Sequence, residues 1–352
     1  MVGFGRVVAA VMGMTALATA PLAAQDQYAV SGAHVAIFNL AGEVEVTGTN
    51  GGSVAVEVLR GGPDGDALTV DIGEVDNRQT LRVRYPSDRV VYERLAGGTT
   101  SLRVRDDGTW GGDSGSSFFG GGDRVRVSGR GSGVRAHADL RIAVPSGQRV
   151  DIYLAAGRIT ASNVDGEVLL DTHSGGVSAA NMRGSLRIDT GSGSVEVAGV
   201  DGDLDVDTGS GSVVASDVRA GAVLIDTGSG GVTADAIEAQ RIRMDTGSGG
   251  IRLRSSSARE VELDTGSGSI LAELTGQIDQ LLADTGSGGV TLRLPPSLSA
   301  RLDVDTGSGG IEVDFPMEVT TRTRGALRGR IGDGLASITV DTGSGSVRIQ
   351  RL

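Results

Sequence analysis

Residues 223–234 read Val-Leu-Ile-Asp-Thr-Gly-Ser-Gly-Gly-Val-Thr-Ala, and this stretch contains the pattern that decides the fold. Apolar residues stand one and three positions before Asp226, and again six and eight positions after it. Alternation with a period of two is typical of β-strands that bury one face. The glycines between the two apolar pairs suit a tight corner, where the backbone needs unusual dihedral angles or close approach. The stretch therefore predicts a strand, a Gly-Ser-Gly turn and a second strand.

The Asp-Thr-Gly-Ser-Gly string recurs through the second half of the chain, with copies that begin at Asp189, Asp207, Asp226, Asp245, Asp264, Asp284, Asp305 and Asp341. A ninth copy begins at Asp171 and has His173 where the others have glycine. Successive copies lie 18 to 21 residues apart, except the last interval of 36, which predicts one coil without the signature. Every length change falls in the loop between units, because a slip of one residue across the turn would expose the buried face.

One unit buries only about four small apolar side chains, too few for stability on its own, so the units must stack. Identical positions recur once per unit and would lie in register, which favours an all-β protein built as a parallel β-solenoid of 18–21-residue coils. A meander of antiparallel hairpins, with the signature as the hairpin turn, is the alternative arrangement.

The pattern divides the chain into three segments. Residues 1–24 are typical of a signal peptide, with Arg6 before a short apolar run and small residues up to Ala24. Residues 25–150 are β-rich but irregular, and form an N-terminal region or a cap with a Gly/Ser-rich loop at 106–123. Residues 151–352 form the repeat solenoid. No second apolar run is long enough to span a membrane, so we expect an exported chain that is periplasmic, outer-surface or secreted.

Composition excludes several classes of function. The chain has no cysteine and no lysine, which removes thiol nucleophiles, thiolate metal sites, Schiff bases and the P-loop lysine. Its net charge of -12 disfavours nucleic acid as a partner. The Asp-Thr-Gly-Ser string also occurs in aspartic proteases, but those need two carboxylates that face each other, and stacked copies point the same way. No cofactor or metal is expected.

The chain resembles the large bacterial family of exported β-repeat proteins called "putative adhesins". The export signal, the irregular β start, the Thr-Gly-Ser-Gly units and the ending Leu327–Gly334 followed by Thr342–Ile349 carry the resemblance, which covers nearly the whole mature chain. It implies a β-solenoid in the cell envelope and supplies no catalytic residues. The insert from Asp106 to Asp123 departs from the compact form of the family pattern.

The favoured function is a non-enzymatic cell-envelope module, either a binding protein or a scaffold, whose partner is an envelope polymer, a glycan or a protein. Trp110, Phe118 and Phe119 are the candidate ligand contacts, because aromatic side chains are rare in this chain and these three lie in one loop. The alternative is that they hold the loop against the β-body. A polysaccharide-active enzyme, with carboxylates and arginines on one solenoid face, is the competing function.

The repeated Asp predicts a ladder of carboxylates about 4.8 Å apart, one on each coil. Neighbouring charges at that spacing repel by about 1 kcal/mol even in water, so something must offset the repulsion. We expect each carboxylate to accept hydrogen bonds from the amides of its own Gly-Ser-Gly turn. A row of calcium ions that bridge adjacent coils is the alternative.

Overall fold

The computed structural model describes residues 25–95, 98–111 and 122–352. The predicted signal peptide, together with Phe118 and Phe119, lies outside these residues. The prediction of an all-β chain is confirmed: apart from two short 3-10 turns, Gly65–Ala67 and Glu93–Leu95, the regular elements are strands. The described residues contain no helix that is both long and apolar enough to cross a membrane.

The strands fall into four groups along the chain. The N-terminal group contains β1 Gln25–Val30, β2 His34–Ala41, β3 Val44–Thr49, β4 Val54–Gly61, β5 Thr69–Val75 and β6 Arg78–Arg84. A small separate sheet contains β7 Arg89–Val91, β8 Thr99–Val104 and β9 Asp123–Ser128.

The repeat region contains β10 His137–Pro145, β11 Gln148–Ala156, β12 Ile159–Ser162, β13 Gly166–Ser174, β14 Val177–Arg183, β15 Leu186–Thr190, β16 Val195–Asp201, β17 Leu204–Thr208, β18 Val213–Thr227, β19 Val232–Thr246, β20 Ile251–Ser256, β21 Glu260–Thr265, β22 Ile270–Leu274, β23 Gln280–Thr285 and β24 Val290–Leu294. The C-terminal group contains β25 Ala300–Thr306, β26 Ile311–Val313, β27 Glu318–Arg322, β28 Ala326–Ile331, β29 Ala336–Thr342 and β30 Val347–Arg351.

The coils stack by parallel pairing, which rules out the antiparallel meander. Each coil contributes one strand to a front stack and one to a rear stack, and the long strands β18 and β19 contribute to both. The front stack runs β6, β2, β11, β13, β15, β17, β18, β19, β21, β23, β29, β25, β28. The rear stack runs β1, β4, β10, β3, β12, β14, β16, β18, β19, β20, β22, β24, β30, β26.

A single core of aliphatic side chains fills the space between the two stacks. The alternating apolar residues of the sequence pattern, such as Val223, Ile225, Ile242 and Met244, are almost completely buried in it. The β-solenoid-like architecture therefore follows from the period-2 pattern and the fixed turn.

Threonine hydroxyls hold the Gly-Ser-Gly turns. Thr227 Oγ1 donates to the carbonyl oxygen of Gly211 on the neighbouring coil at 2.9 Å and accepts from the amide of Gly230 at 3.1 Å. The same pair of bonds recurs at Thr246, Thr285 and Thr342. Each hydroxyl thus closes its own turn and ties it to the next. The prediction that the Asp carboxylates accept from the turn amides differs from this arrangement, in which the threonine hydroxyl accepts from the amide of the second glycine.

The order of the last coils differs from the order of the sequence. Strand β29 lies between β23 and β25, so that Asp341 is in register with Asp284 on one side and Asp305 on the other. In chain order, the outermost coil comes first. The antiparallel pair β27–β28 follows and lies over β25, and the chain then returns to the position between β23 and β25. The prediction that the 36-residue interval contains one coil without the signature was therefore wrong. That interval contains the antiparallel pair β27–β28 and the returning strand β29.

The N-terminal region also has antiparallel strands at its end of the stack. Strands β2 and β3 form a coil that pairs in parallel with β11 and β12, while β4 runs antiparallel to β10 and β5 antiparallel to β6. The boundary that was predicted at residue 150 falls inside β11. The first coil of the stack thus comes from residues that the sequence analysis placed in the irregular region.

Strands β7, β8 and β9 form a sheet of their own, here called the lid, which lies over the outer face of β2 and β11. A second hydrophobic core joins the lid to the stack, and it includes Phe38, Trp110, Tyr153 and Val127. Strands β2 and β11 are consequently buried on both faces. Their sequences already contain part of this signal, because most residues of both strands are apolar and the strict alternation is lost, although Asn39 and Asp151 interrupt the apolar runs.

Candidate binding cleft

A cleft of about 790 Å³ opens where the edge of the lid meets the front stack. Its floor is the outer face of β11, β13 and β15, and its walls include β8, Trp110 and the start of β2 and β6. The volume lies within the range of about 300–1,000 Å³ that small-molecule sites occupy. The cleft is therefore a concave site of ligand size beside Trp110.

Register decides which side chains share the floor of the cleft. Arg149 lies beside Glu167, and Tyr153 lies beside Asp171, which in turn lies beside Asp189. Because side chains alternate along a strand, these residues project from the outer face while Val150 and Leu170 point into the core. The floor thus offers cations, carboxylates and an aromatic ring within three neighbouring strands.

Trp110 forms the aromatic wall of the cleft, and it packs together with Phe38 and with Tyr153 of the floor. The rings of Phe38 and Tyr153 are stacked, with centroids 4.5 Å apart, and Trp110 meets Phe38 edge to face at 5.2 Å. Trp110 is only 6% exposed. Its burial in the second core holds the loop against the β-body, and the residue also borders the cleft. Phe118 and Phe119 belong to the undescribed part of the loop.

A buried carboxylate lies beneath the wall. Asp151 Oδ2 is 2.7 Å from His34 Nε2 and accepts from Arg78 Nη1 at 3.2 Å, while the same guanidinium nitrogen is 3.2 Å from Tyr153 Oη. Two partners offset the desolvation of the Asp151 charge. Burial raises the pKa of Tyr153, and the nearby Asp151 charge raises it further, so the phenol stays protonated. No role for this cluster could be predicted from the sequence, because only the tertiary fold brings strands β2, β6 and β11 together.

Asp171 is the titratable group of the cleft floor. Burial raises its pKa from 3.8 to about 7, repulsion from Asp189 adds to the effect, and Arg187 opposes it. Gly111 covers this carboxyl closely, since a Cβ there would lie 3.2 Å from Asp171 Oδ2 and 3.0 Å from the Tyr153 ring. The group therefore changes its charge near neutral pH, in a position where a ligand could meet it.

We expect Asp171→Asn to stabilise the protein at pH 8 and to change little at pH 4. The folded state raises the pKa, so the stability of the natural protein should fall as pH rises from about 4 through about 7. The Asp171→Asn variant should not lose stability over this pH range, because it has no carboxyl group at position 171. Thermal melts of both proteins from pH 4 to pH 8 test this, with the exposed Asp235→Asn as the matched control. A difference in melting temperature that is the same at every pH would contradict the assignment.

The other carboxylates of the predicted ladder lie in one column along the front stack, in register from Asp189 to Asp284 and then through Asp341 to Asp305. Burial, followed by repulsion between neighbours, raises the pKa of Asp226, Asp264 and Asp341. Among the described residues, no group of three or more His, Asp or Glu side chains is arranged to hold a metal ion.

The family that is similar to this chain matches its repeat region. Residues 184–350 match the family model described as Toastrack DUF4097. No curated protein sequence matches the chain.

Three solved structures from bacteria are similar over most of the chain. A "putative adhesin" from Parabacteroides merdae is 12% identical, with 93% of this chain and 95% of that chain covered and a TM-score of 0.41. A "putative adhesin" from Bacteroides fragilis is 12% identical, with 93% and 96% covered and a TM-score of 0.37. A "putative lipid binding protein" from Parabacteroides distasonis is 10% identical, with 92% and 96% covered and a TM-score of 0.35.

Proposed function

We propose that this protein is a non-enzymatic binding module of the cell envelope, exported by its N-terminal segment, which holds a glycan or a similar envelope polymer in the cleft beside the lid. The observation that supports this most directly is the composition of the cleft. Guanidinium groups, carboxylates and the edge of an aromatic wall surround a space of about 790 Å³. Such sites combine an apolar surface with a few oriented polar groups, which suits a ligand rich in hydroxyl groups.

The rigid surroundings of the cleft favour binding. Its floor consists of strands that pair on both sides, and its wall is fixed by the Phe38–Tyr153 stack and by the buried contacts of Asp151. A site that is already ordered loses little conformational entropy when a ligand enters. The rest of the front stack then serves as a stiff rod that presents the cleft at one end.

A glycan array, probed with purified residues 25–352, tests this proposal. We expect selective binding to one class of glycan, and a loss of roughly tenfold in affinity for Asp171→Asn, because a charge-assisted hydrogen bond contributes about 1.5–3 kcal/mol. Asp226→Asn is the matched control, since it removes the same ladder carboxylate several coils away from the cleft. Equal loss of affinity in both variants, or no binding to any glycan, would contradict a binding site in the cleft.

A second function, a polysaccharide-active enzyme, draws on the raised pKa of Asp171 beside Asp189. Carboxyl groups with raised pKa values in a cleft are candidates for general acids. An assay for new reducing ends, with acidic and neutral polysaccharides at pH 5 to 8, separates the two functions. We expect no product. Activity that disappears in Asp171→Asn and persists in Asp226→Asn would favour the enzyme.

A further inference from the structure

The outer face of the lid contains unpaired arginines that the proposed cleft does not explain. Strand β9 lies between β7 and β8, and its residues Val125 and Val127 point inward to the second core. Arg124 and Arg126 alternate with them and are exposed. The alternation therefore places both guanidinium groups on the outer surface of this small sheet.

Register places arginine opposite arginine across this face. Arg126 is the direct partner of Arg89 on β7, and Arg124 is the direct partner of Arg103 on β8. Like charges directly opposite each other on neighbouring strands destabilise a sheet. Such an arrangement gains nothing for the fold, so its explanation lies elsewhere.

Arginines on the solenoid coils, where they contribute to stability, have different neighbours. There, several arginines lie next to acidic residues of the adjacent coil: Arg241 with Glu260 at 2.7 Å, Arg219 with Glu238 at 3.4 Å and Arg259 with Asp279 at 3.4 Å. Within the described residues, no side-chain ion pair involves Arg89, Arg124 or Arg126. The lid face is thus a basic patch on a chain whose net charge is -12.

Two acidic residues are neighbours of the patch in sequence. Asp123 precedes Arg124 in β9, so strand alternation turns it away from the face of that arginine, whereas Asp88 precedes β7 and is exposed. Over residues 88–135 the sequence contains eight arginines and six acidic residues, so the whole segment is basic. The local field is therefore positive although the rod is acidic.

We propose that this patch, formed by Arg89, Arg124 and Arg126 with Arg103 at its border, is a second binding site and that its partner is an acidic polysaccharide. Planar guanidinium groups bind carboxylate, sulfate or phosphate groups with two parallel hydrogen bonds. The hydroxyls of Ser101 and Thr99, on the same face, add donors and acceptors for sugar hydroxyls.

The surroundings of the arginines favour a polysaccharide over a membrane or a nucleic acid. In the described strands of the lid, no large apolar side chain is exposed, whereas membrane-surface segments bury an apolar face among the lipids. No aromatic side chain lies on this face of the three strands either, whereas single-stranded nucleic acids are held by stacking on aromatic rings.

Binding of dextran sulfate and polygalacturonate to purified residues 25–352 tests the proposal, with neutral dextran as the uncharged control. We expect binding to at least one acidic polymer, weaker binding in 200 mM than in 50 mM salt, and none to neutral dextran. Simultaneous substitution Arg89→Gln, Arg124→Gln and Arg126→Gln should lower the affinity roughly tenfold or more. The matched control substitutes three exposed arginines away from the lid, Arg252, Arg254 and Arg322, with glutamine and should retain binding.

Two further probes identify the source of the negative charge. Phosphatidylglycerol vesicles and duplex DNA are measured under the same conditions, and we expect both to bind more weakly than the acidic polysaccharide. Tighter binding to either probe would overturn the assigned partner. Equal affinities for the patch variant and the control variant would overturn the site itself. Thermal melts of both variants show that each is folded before binding is measured.

Discussion

Gly230→Ala should lower the melting temperature by about 4–5 °C, whereas Gly231→Ala, one residue later, should leave it almost unchanged. A Cβ at position 230 would lie 1.8 Å from the carbonyl oxygen of Gly211 and 2.4 Å from its carbonyl carbon. Backbone atoms cannot move aside in the way that a flexible side chain can, so two coils would have to separate. We expect a loss of about 3 kcal/mol in the free energy of unfolding, at the upper end of the range for overpacked sites.

The adjacent glycine is a matched control because it lies in the same turn. A Cβ at position 231 would meet its nearest atom, the carbonyl oxygen of Gly250, at 3.4 Å. The corresponding positions of other coils are occupied by Ser212 and Ser269, so a side chain fits there. Thermal melts of both variants measure the difference. Equal melting temperatures would show that close approach of the backbones does not explain the conserved spacing of the turn along this chain.

Thr227→Val should lower the free energy of unfolding by about 2–4 kcal/mol, although the two side chains have nearly the same shape. The hydroxyl donates to the Gly211 carbonyl and accepts from the Gly230 amide. Without it, a buried donor and a buried acceptor both lack partners, and each such group costs about 1–3 kcal/mol. Denaturant titration at fixed pH measures the loss, and an unchanged slope of free energy against denaturant shows that the variant unfolds in the same way.

Asp226→Asn, one residue earlier, distinguishes the threonine from the carboxylate as the residue that holds the turn. Burial and the charges of Asp245 and Asp207 raise the pKa of Asp226, so the ionised group is not stabilised where it lies. We therefore expect the amide variant to be as stable as the natural protein, or slightly more stable, at pH 8. A larger loss for Asp226→Asn than for Thr227→Val would restore the carboxylate cap that the sequence analysis predicted.

Asp226 and Thr227 illustrate what can be predicted from the sequence and what cannot. Asp and Thr recur together in every full copy of the signature, so repetition alone cannot say which of them makes the hydrogen bonds. The register argument placed the carboxylates in one column, and the structure has them there. Only the direction of the side chains decides the roles: Thr227 points inward to the turn and is completely buried, while Asp226 points outward.

The sequence by itself determined the all-β composition and the identity of the buried residues, and it favoured the parallel stack over the antiparallel meander. These are local properties, because alternation with period two and a turn of constant length leave one way to bury the apolar face of every unit. Because the unit repeats, the same reasoning applies to every coil. The same reasoning excluded the enzyme classes that require cysteine or lysine, since a missing residue type needs no structure to be noticed.

Only the tertiary structure decided the order of the coils at both ends, the position of the lid and the composition of the cleft. Strand β29 pairs with β23 and β25, and β2 pairs with β11, across long stretches of intervening chain. One coil offers the same hydrogen bonds and nearly the same apolar face as another, so the repeat pattern does not specify which coil is the neighbour. That choice depends on the caps and on the aromatic core around Phe38 and Tyr153, which form only when distant segments meet.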